Sequence, residues 1–305
     1  MTEARTVTTP ALADHRMRAN LTLALAAAIW GFAFVAQRLG SQHLSAFAFN
    51  GVRFGIGALS LLPVAIWFGR RAGRVTSIRI AIRDVLGPGL VCGAVLFMGA
   101  TFQQAGVAGT TAGKAGFITG LYIVLVPLLG IVVRHRTTGQ VWAGAALAVV
   151  GLYLLTVTEA LTIGVGDLLV LVGSLFWALH ILVIDHFVAR HDPLFLSTMQ
   201  FAACSALSLL LAMTTTSAPF DGAGAAILPI LYAGVVSVGI AYTLQVVGQQ
   251  GAKPSTAALI LSLEAVFGAL GGALMLGETM GLREYAGAAL MLAGIIVSQL
   301  PQRAR

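Results

Sequence analysis

The sequence predicts an all-α integral membrane protein: ten transmembrane helices in two inverted five-helix repeats, with both termini cytoplasmic. Three observations lead there. Only 10% of the 305 residues are charged and 58% are hydrophobic, whereas a soluble domain carries about 25% charged residues. The apolar sequence divides into ten runs, each near the length of about 20 residues that crosses a bilayer as a helix. Finally, the phrase WAGAALAVVG at Trp142–Gly151 returns as YAGAALMLAG at Tyr285–Gly294.

The ten runs fall at 19–38, 44–69, 86–106, 110–133, 139–157, 167–188, 193–213, 226–248, 254–276 and 283–300. Short breaks rich in charge, Gly or Pro separate them, and none is long enough for a further domain. Residues 1–18 are polar and lack the short apolar core of a signal peptide, so the first run reads as a retained helix. The layout is then a tail (1–18), a first repeat (19–158), a second repeat (167–300) and a short tail (301–305).

Charge tests the count. With the N-terminus cytoplasmic, the inner segments hold 14 of the 18 Lys and Arg residues. The outer segments hold Arg38, Lys114 and Arg283, and Arg53 is left inside a span. Cytoplasmic loops of membrane proteins are enriched in Lys and Arg, so this distribution fits ten spans with both ends inside.

The repeated phrase sets the internal symmetry. It sits in run 5 and again in run 10, so the unit is five helices. A unit with an odd number of spans enters the membrane the other way up in its second copy, which makes the repeat inverted. Other echoes keep the register: Trp30 with Trp177, and ALSLL at 58–62 and again at 206–210. Gly144/Gly151 and Gly287/Gly294 give the two copies a smooth face for close helix packing.

Composition also excludes. Cys92 and Cys204 lie in apolar runs, against a disulfide framework or a zinc cluster. The net charge of +7 falls between apolar runs, so it argues for membrane orientation and not for nucleic acid. The chain has no GxSxG, HExxH, CxxC or phosphate-loop motif, and no cofactor or metal is expected. The expected partners are the bilayer and a small-molecule substrate, with the protein a monomer or homodimer.

Ionisable residues inside spans are costly, and by default they face a cavity or a partner. Arg53, Glu264 and His180 are the candidates. Arg53 can tie the bundle together through a carbonyl or carboxylate. Glu264 can pair with Arg53, bind an amino group or carry a proton. His180 is either a hydrogen-bonded core residue or a cavity group. Lys114, near the outer start of run 4, can snorkel. Asn50, Gln103, Gln104, Gln200, Gln245 and Gln249 extend the polar pattern, with Gln200 near the repeat-equivalent of Arg53. Deep aromatics (Trp30, Phe97, Phe117, Tyr122, Trp177, Tyr242) suggest pocket walls, since Trp and Tyr otherwise favour the interface. Pro127 is expected to kink run 4, and Pro254 suits the first turn of run 9. The expected substrate cavity takes Trp30, Asn50, Arg53, Gln104, Tyr122, Trp177, His180, Gln200, Tyr242, Gln245 and Glu264.

The ordered phrases IWGFAFVAQ (29–37), FNGVRFGIGALSLL (49–62), GLYIVLVPLLG (120–130) and LSLEAVFGALGGALMLGETM (261–280) resemble the drug/metabolite transporter superfamily, in particular its EamA-type branch. The likeness covers roughly residues 20–300. The branch often has Glu-Pro in span 9; here Ala265 follows Glu264, which leaves a kink there unsupported. The resemblance implies a secondary transporter in the bacterial inner membrane that exports small metabolites by alternating access. Amino acid exporters of the YddG type are similar in layout, which points to amino acids as substrates. The cavity would lie among spans 1–4 and 6–9, with spans 5 and 10 as outer scaffold. A multidrug or lipophilic-cation exporter is the alternative within transport, and a membrane-embedded enzyme is the alternative outside it.

Overall fold

The computed structural model describes residues 10–73, 77–110, 112–132, 134–135, 137–157, 163–276 and 280–300. All regular elements among them are helical: α1 (Pro10–Ser41), α2 (Ala46–Arg71), α3 (Ile78–Val107), α4 (Ala112–Gly120), α5 (Tyr122–Val132), α6 (Gly139–Thr156), α7 (Val165–Val188), α8 (Pro193–Thr215), α9 (Ile227–Leu231), a π-helix (Tyr232–Tyr242), α10 (Thr243–Gln249), α11 (Pro254–Leu261), α12 (Glu264–Leu276) and α13 (Leu282–Gln299). Nine stretches among the described residues are long and apolar enough to cross a membrane. Leu282–Gln299 is not one of them, because Arg283 and Glu284 open it and Gln299 closes it.

Local chemistry sets several ends. The Ser45 hydroxyl caps α2 by accepting from the Ala48 amide, and the Asp192 carboxylate caps α8 through the amides of Leu194 and Phe195. Such side chains satisfy amides that have no partner within the helix. Pro254 occupies the first turn of α11, where its missing N–H costs nothing. Many large apolar side chains, such as Leu59, Val132 and Leu274, are exposed around the outside. In a bilayer lipid covers them, so association between helices rests on close packing and interhelical hydrogen bonds.

Glycine supplies that closeness. A Cβ on Gly151 would lie 2.5 Å from the carbonyl oxygen of Gly287, and one on Gly294 would lie 2.5 Å from that of Gly144. The earlier glycine of one copy of the phrase thus faces the later glycine of the other, so α6 and α13 run antiparallel, face to face. Elsewhere α2 packs on α8, and α3 packs on α7 and α8. A hydrogen bond from the Ser205 hydroxyl to the Gly51 carbonyl (2.7 Å) spans the α2–α8 seam.

Two membrane stretches are interrupted. The first breaks at Leu121, six residues before Pro127, which lies inside α5. The second breaks at Ser262 and Leu263, with no proline nearer than Pro254 at the start of α11. There the Ser262 hydroxyl donates to the Leu259 carbonyl at 2.7 Å, a back-bond that bends helices. The helix starts also differ from expectation: α1 begins at Pro10 and α3 at Ile78, both ahead of their apolar runs. Glu278, within the LGE part of the fourth family-like phrase, and the Lys114 side chain lie outside the described residues.

Candidate functional site

A cavity lies in the middle of the bundle, and the space between atoms there, its open mouth included, comes to about 510 Å³. Its wall is assembled by helical spacing. Trp30, Phe34 and Gln37 lie at i, i+4 and i+7 along α1, one face of that helix. Trp177 and Ile181 lie at i and i+4 along α7. Ser237 and Tyr242, five residues apart, reach the cavity because they sit in the π-helix, where i to i+5 bonding brings such residues toward one face. Arg53, Gln103, Thr119, Tyr122, Gln245, Leu261 and Glu264 complete the wall. Among the described residues, none in the wall comes from α6, α8 or α13.

Aromatic rings form one side. Trp30 meets Tyr242 edge-on with centroids 4.5 Å apart, and Trp177 lies 6.1 Å from the same ring. Their indole N–H groups are fixed: Trp30 Nε1 donates to the Ser237 carbonyl at 3.3 Å, and Trp177 Nε1 donates to Gln103 Oε1. Gln103 Nε2 in turn donates to Gln37 Oε1 at 3.2 Å. The rings are therefore oriented by polar partners as well as by packing.

Charge enters from two places. Arg53 is 2% exposed. Its Nε donates to Asn50 Oδ1 at 2.9 Å, and its guanidinium carbon lies 4.8 Å from the Phe54 ring centroid. Glu264 is 7% exposed, and its Oε1 accepts the Tyr122 hydroxyl at 3.1 Å. Among the described residues no carboxylate lies within ion-pair distance of Arg53, so of the three options for Glu264 the Arg53 pair is not formed. Two wall residues, Gln245 and Thr119, also carry side-chain oxygens that are buried without a hydrogen-bond partner among the described residues.

Seven of the eleven residues named from sequence stand in this wall: Trp30, Arg53, Tyr122, Trp177, Tyr242, Gln245 and Glu264. The other four stand behind it. Asn50 holds Arg53. Gln104 Nε2 donates to the Gln37 carbonyl at 3.0 Å. His180 and Gln200 pair with each other, Nε2 to Oε1, at 2.8 Å. Phe97 and Phe117 also lie off the wall, against Phe47 and Tyr153. Gln249 is engaged elsewhere, with Nε2 donating to the Ile181 carbonyl at 2.8 Å. Phe34, Gln37, Thr119, Ile181, Ser237 and Leu261 are wall residues that the sequence reading did not select. Helical spacing from Trp30 finds Phe34 and Gln37, and spacing from Trp177 finds Ile181.

The wall is also internally paired. Gln103 and Gln245, Thr119 and Leu261, and Tyr122 and Glu264 are each 142 residues apart. Trp30 and Trp177, and Phe34 and Ile181, are each 147 apart. Gln37, Arg53, Ser237 and Tyr242 have no such counterpart in the wall. On the side where α5, α7 and α10 end and α11 begins, Leu23, Ile123, Val126, Leu182, Ala257 and Ala258 belong to one buried apolar cluster. The same end carries a His135–Asp185 contact at 3.8 Å and a Thr137–Ser255 hydroxyl contact at 3.4 Å.

Comparison with known proteins agrees with this architecture. The model of the EamA-like transporter family matches the chain twice, over residues 17–157 and 164–299. An uncharacterized transporter of Archaeoglobus fulgidus is 35% identical over 286 residues, covering 93% of this chain and 87% of that protein. A protein of Salmonella typhimurium named as a probable amino-acid metabolite efflux pump is 26% identical, covering 92% of this chain and 94% of its own. A crystal structure with 18% sequence identity superposes with a TM-score of 0.73, covering 92% of this chain and 96% of the other, a likeness of fold. Two family matches that together span almost the whole chain, on a multi-pass helical bundle around a central cavity, give the conclusion: the chain belongs to the EamA-like transporter family.

Proposed function

We propose that this transporter exports amino acids, those with apolar or aromatic side chains in particular, across a bacterial inner membrane by alternating access. One observation carries the reading: a buried guanidinium and a buried carboxyl line one cavity without pairing with each other. Buried charges call for partners. An amino acid brings a carboxylate for Arg53 and an ammonium for Glu264, Gln245 and Thr119, all three with acceptor oxygens. The rings of Trp30, Trp177 and Tyr242 then take an apolar side chain. The naming of the Salmonella typhimurium relative as a probable amino-acid metabolite efflux pump points the same way.

The transport cycle we infer uses ten spans, with α13 as the tenth, in two inverted five-helix repeats. Antiparallel packing of α6 on α13 and a wall made largely of paired positions support that symmetry. Transporters of this build rock one repeat against the other around a midplane site. With both termini cytoplasmic, the apolar cluster around Ile123, Leu182 and Ala257 lies toward the cytoplasm, and in this reading it forms the inner barrier of the cycle.

A lipophilic-cation exporter is the competing reading, favoured by the aromatic rings beside Glu264, since such rings attract cations. Arg53 in the same wall opposes it. Counterflow in proteoliposomes separates the two. Vesicles preloaded with unlabelled leucine, phenylalanine or tryptophan are expected to accumulate the labelled amino acid, and vesicles preloaded with tetraphenylphosphonium are not. Exchange of the cation with no exchange of any amino acid overturns the proposal.

A further inference from the structure

Tyr122 and Glu264 each open the second half of an interrupted span: Tyr122 is the first residue of α5, and Glu264 is the first of α12. They are 142 residues apart, the separation shared by two other pairs in the wall, and a buried hydrogen bond of 3.1 Å joins them. The bond therefore links equivalent points of the two family-matched halves, at the two breaks in their helices. Backbone hydrogen bonds at both breaks are local. The amides of Val124 and Leu125 return to the Leu121 carbonyl, the Ala265 amide to that of Ser262 and the Phe267 amide to that of Leu263. Half-helices joined by such turns can change their mutual angle without unravelling either half.

We propose that the Tyr122–Glu264 hydrogen bond is a lock between the two interrupted spans, released when the ammonium group of the solute takes over the Glu264 carboxyl. A phenol and an ammonium compete for the same acceptor, and the ammonium adds its full charge to the contact. The displaced phenol frees both half-helices, so occupancy of the cavity is tied to movement at both breaks. Tyr122 is thus a positioning residue and not a contact for the solute. The identity of the releasing group rests on the amino acid reading above; the lock itself does not.

The sign of one measurement distinguishes the lock from a substrate contact. In purified full-length protein, Tyr122→Phe removes the competitor, and leucine is expected to bind about fivefold tighter, the scale of one hydrogen bond. The deaminated analogue 4-methylpentanoate, which has no ammonium, is expected to bind unchanged. Weaker leucine binding to Tyr122→Phe overturns the proposal. A second arm needs no ligand. Hydrogen–deuterium exchange of residues 118–125 and 260–267 is expected to rise severalfold in Tyr122→Phe, and equally in Glu264→Met, which removes the acceptor. Glu264→Gln keeps an acceptor for the phenol, so its exchange stays low while its preference for leucine over the analogue is lost. Unchanged exchange at both breaks in Tyr122→Phe and Glu264→Met overturns the lock. If the wild-type protein binds no amino acid, the functional reading fails, and the exchange arm still decides the lock.

Discussion

Asn50 Oδ1 accepts from Arg53 Nε at 2.9 Å and thereby turns the guanidinium so that its two terminal nitrogens are the part left for the cavity. Those nitrogens make no hydrogen bond among the described residues. A planar fork with two free N–H faces matches a carboxylate in a bidentate way that an ammonium cannot. Arg53→Lys is therefore expected to raise the KM for amino acid exchange about tenfold, and Arg53→Gln more, with little effect on the binding of decarboxylated amines. Asn50→Ala should produce a smaller rise, because the fork is present but no longer held. Filter-binding and counterflow assays with leucine and with isopentylamine, its decarboxylated analogue, check this. Equal losses for both ligands would show that Arg53 holds the bundle and does not read the carboxylate.

His180 and Gln200 lie behind the wall, hydrogen-bonded to each other at 2.8 Å. The His180 ring packs edge-on against Trp177 and Tyr242 at 6.1 and 6.3 Å. Its role is to back the aromatic side of the cavity. His180→Leu leaves Gln200 without this partner in a buried place, and should cost about 1–3 kcal/mol of stability. His180→Gln can keep a hydrogen bond and should cost less. Counterflow rates for His180→Gln should stay within about twofold of wild type, since the residue does not face the solute. Loss of exchange in a stably folded His180→Gln protein would place the imidazole in the transport path instead.

Much of this architecture is legible in the sequence because the membrane simplifies the reading. Apolar runs report spans directly, and a phrase such as AGAAL survives in both copies because close backbone packing tolerates few residues there. Trp30, Trp177, Tyr122 and Glu264 stand out because large or polar side chains are conspicuous among Leu and Ala. Ser237 and Leu261 do not stand out. Ser237 enters the wall through a π-helix, whose altered period no composition rule announces, and Leu261 looks like any lipid-facing leucine. The interruption at Ser262–Leu263 is hidden for a related reason: it rests on a serine back-bond where a proline would have advertised it. The roles of Asn50 and Gln200 are not legible in the sequence because a polar residue in a span serves a cavity and a neighbouring side chain equally well.

Tyr242 touches Trp30, Trp177, Phe54 and Phe201 in one aromatic cluster. It is the ring on which both tryptophans converge. Tyr242→Phe keeps the packing and should alter leucine or tryptophan exchange by less than about threefold. Tyr242→Ala opens the cavity and removes contact area worth about 3–5 kcal/mol in a packed core. Its expected signature is loss of leucine exchange with retention of part of the tryptophan exchange, because the larger ring refills the space. A panel of amino acids graded by side-chain volume tests this. An equal loss across the panel would mean that Tyr242 supports the fold and not the selection of side chains.

Gly151 and Gly287 test the scaffold apart from the site. The Cβ of an alanine at 151 would meet the Gly287 carbonyl at 2.5 Å and the Met291 amide nitrogen at 2.8 Å. Both are backbone atoms and cannot swing aside as a side chain could. Overpacking of this kind costs about 1–3 kcal/mol, so Gly151→Ala should lower the melting temperature in detergent by several degrees. Gly139, at the start of the same helix, has open space around its Cβ position. Gly139→Ala should be neutral or slightly stabilising, since alanine restricts the unfolded chain more than glycine. Neither residue reaches the cavity, so the KM for leucine should hold in both variants even where the amount of folded protein falls. If Gly151→Ala melts like the wild type, the two helices can part at little cost, and the α6–α13 pair is not the rigid scaffold on which the halves are mounted.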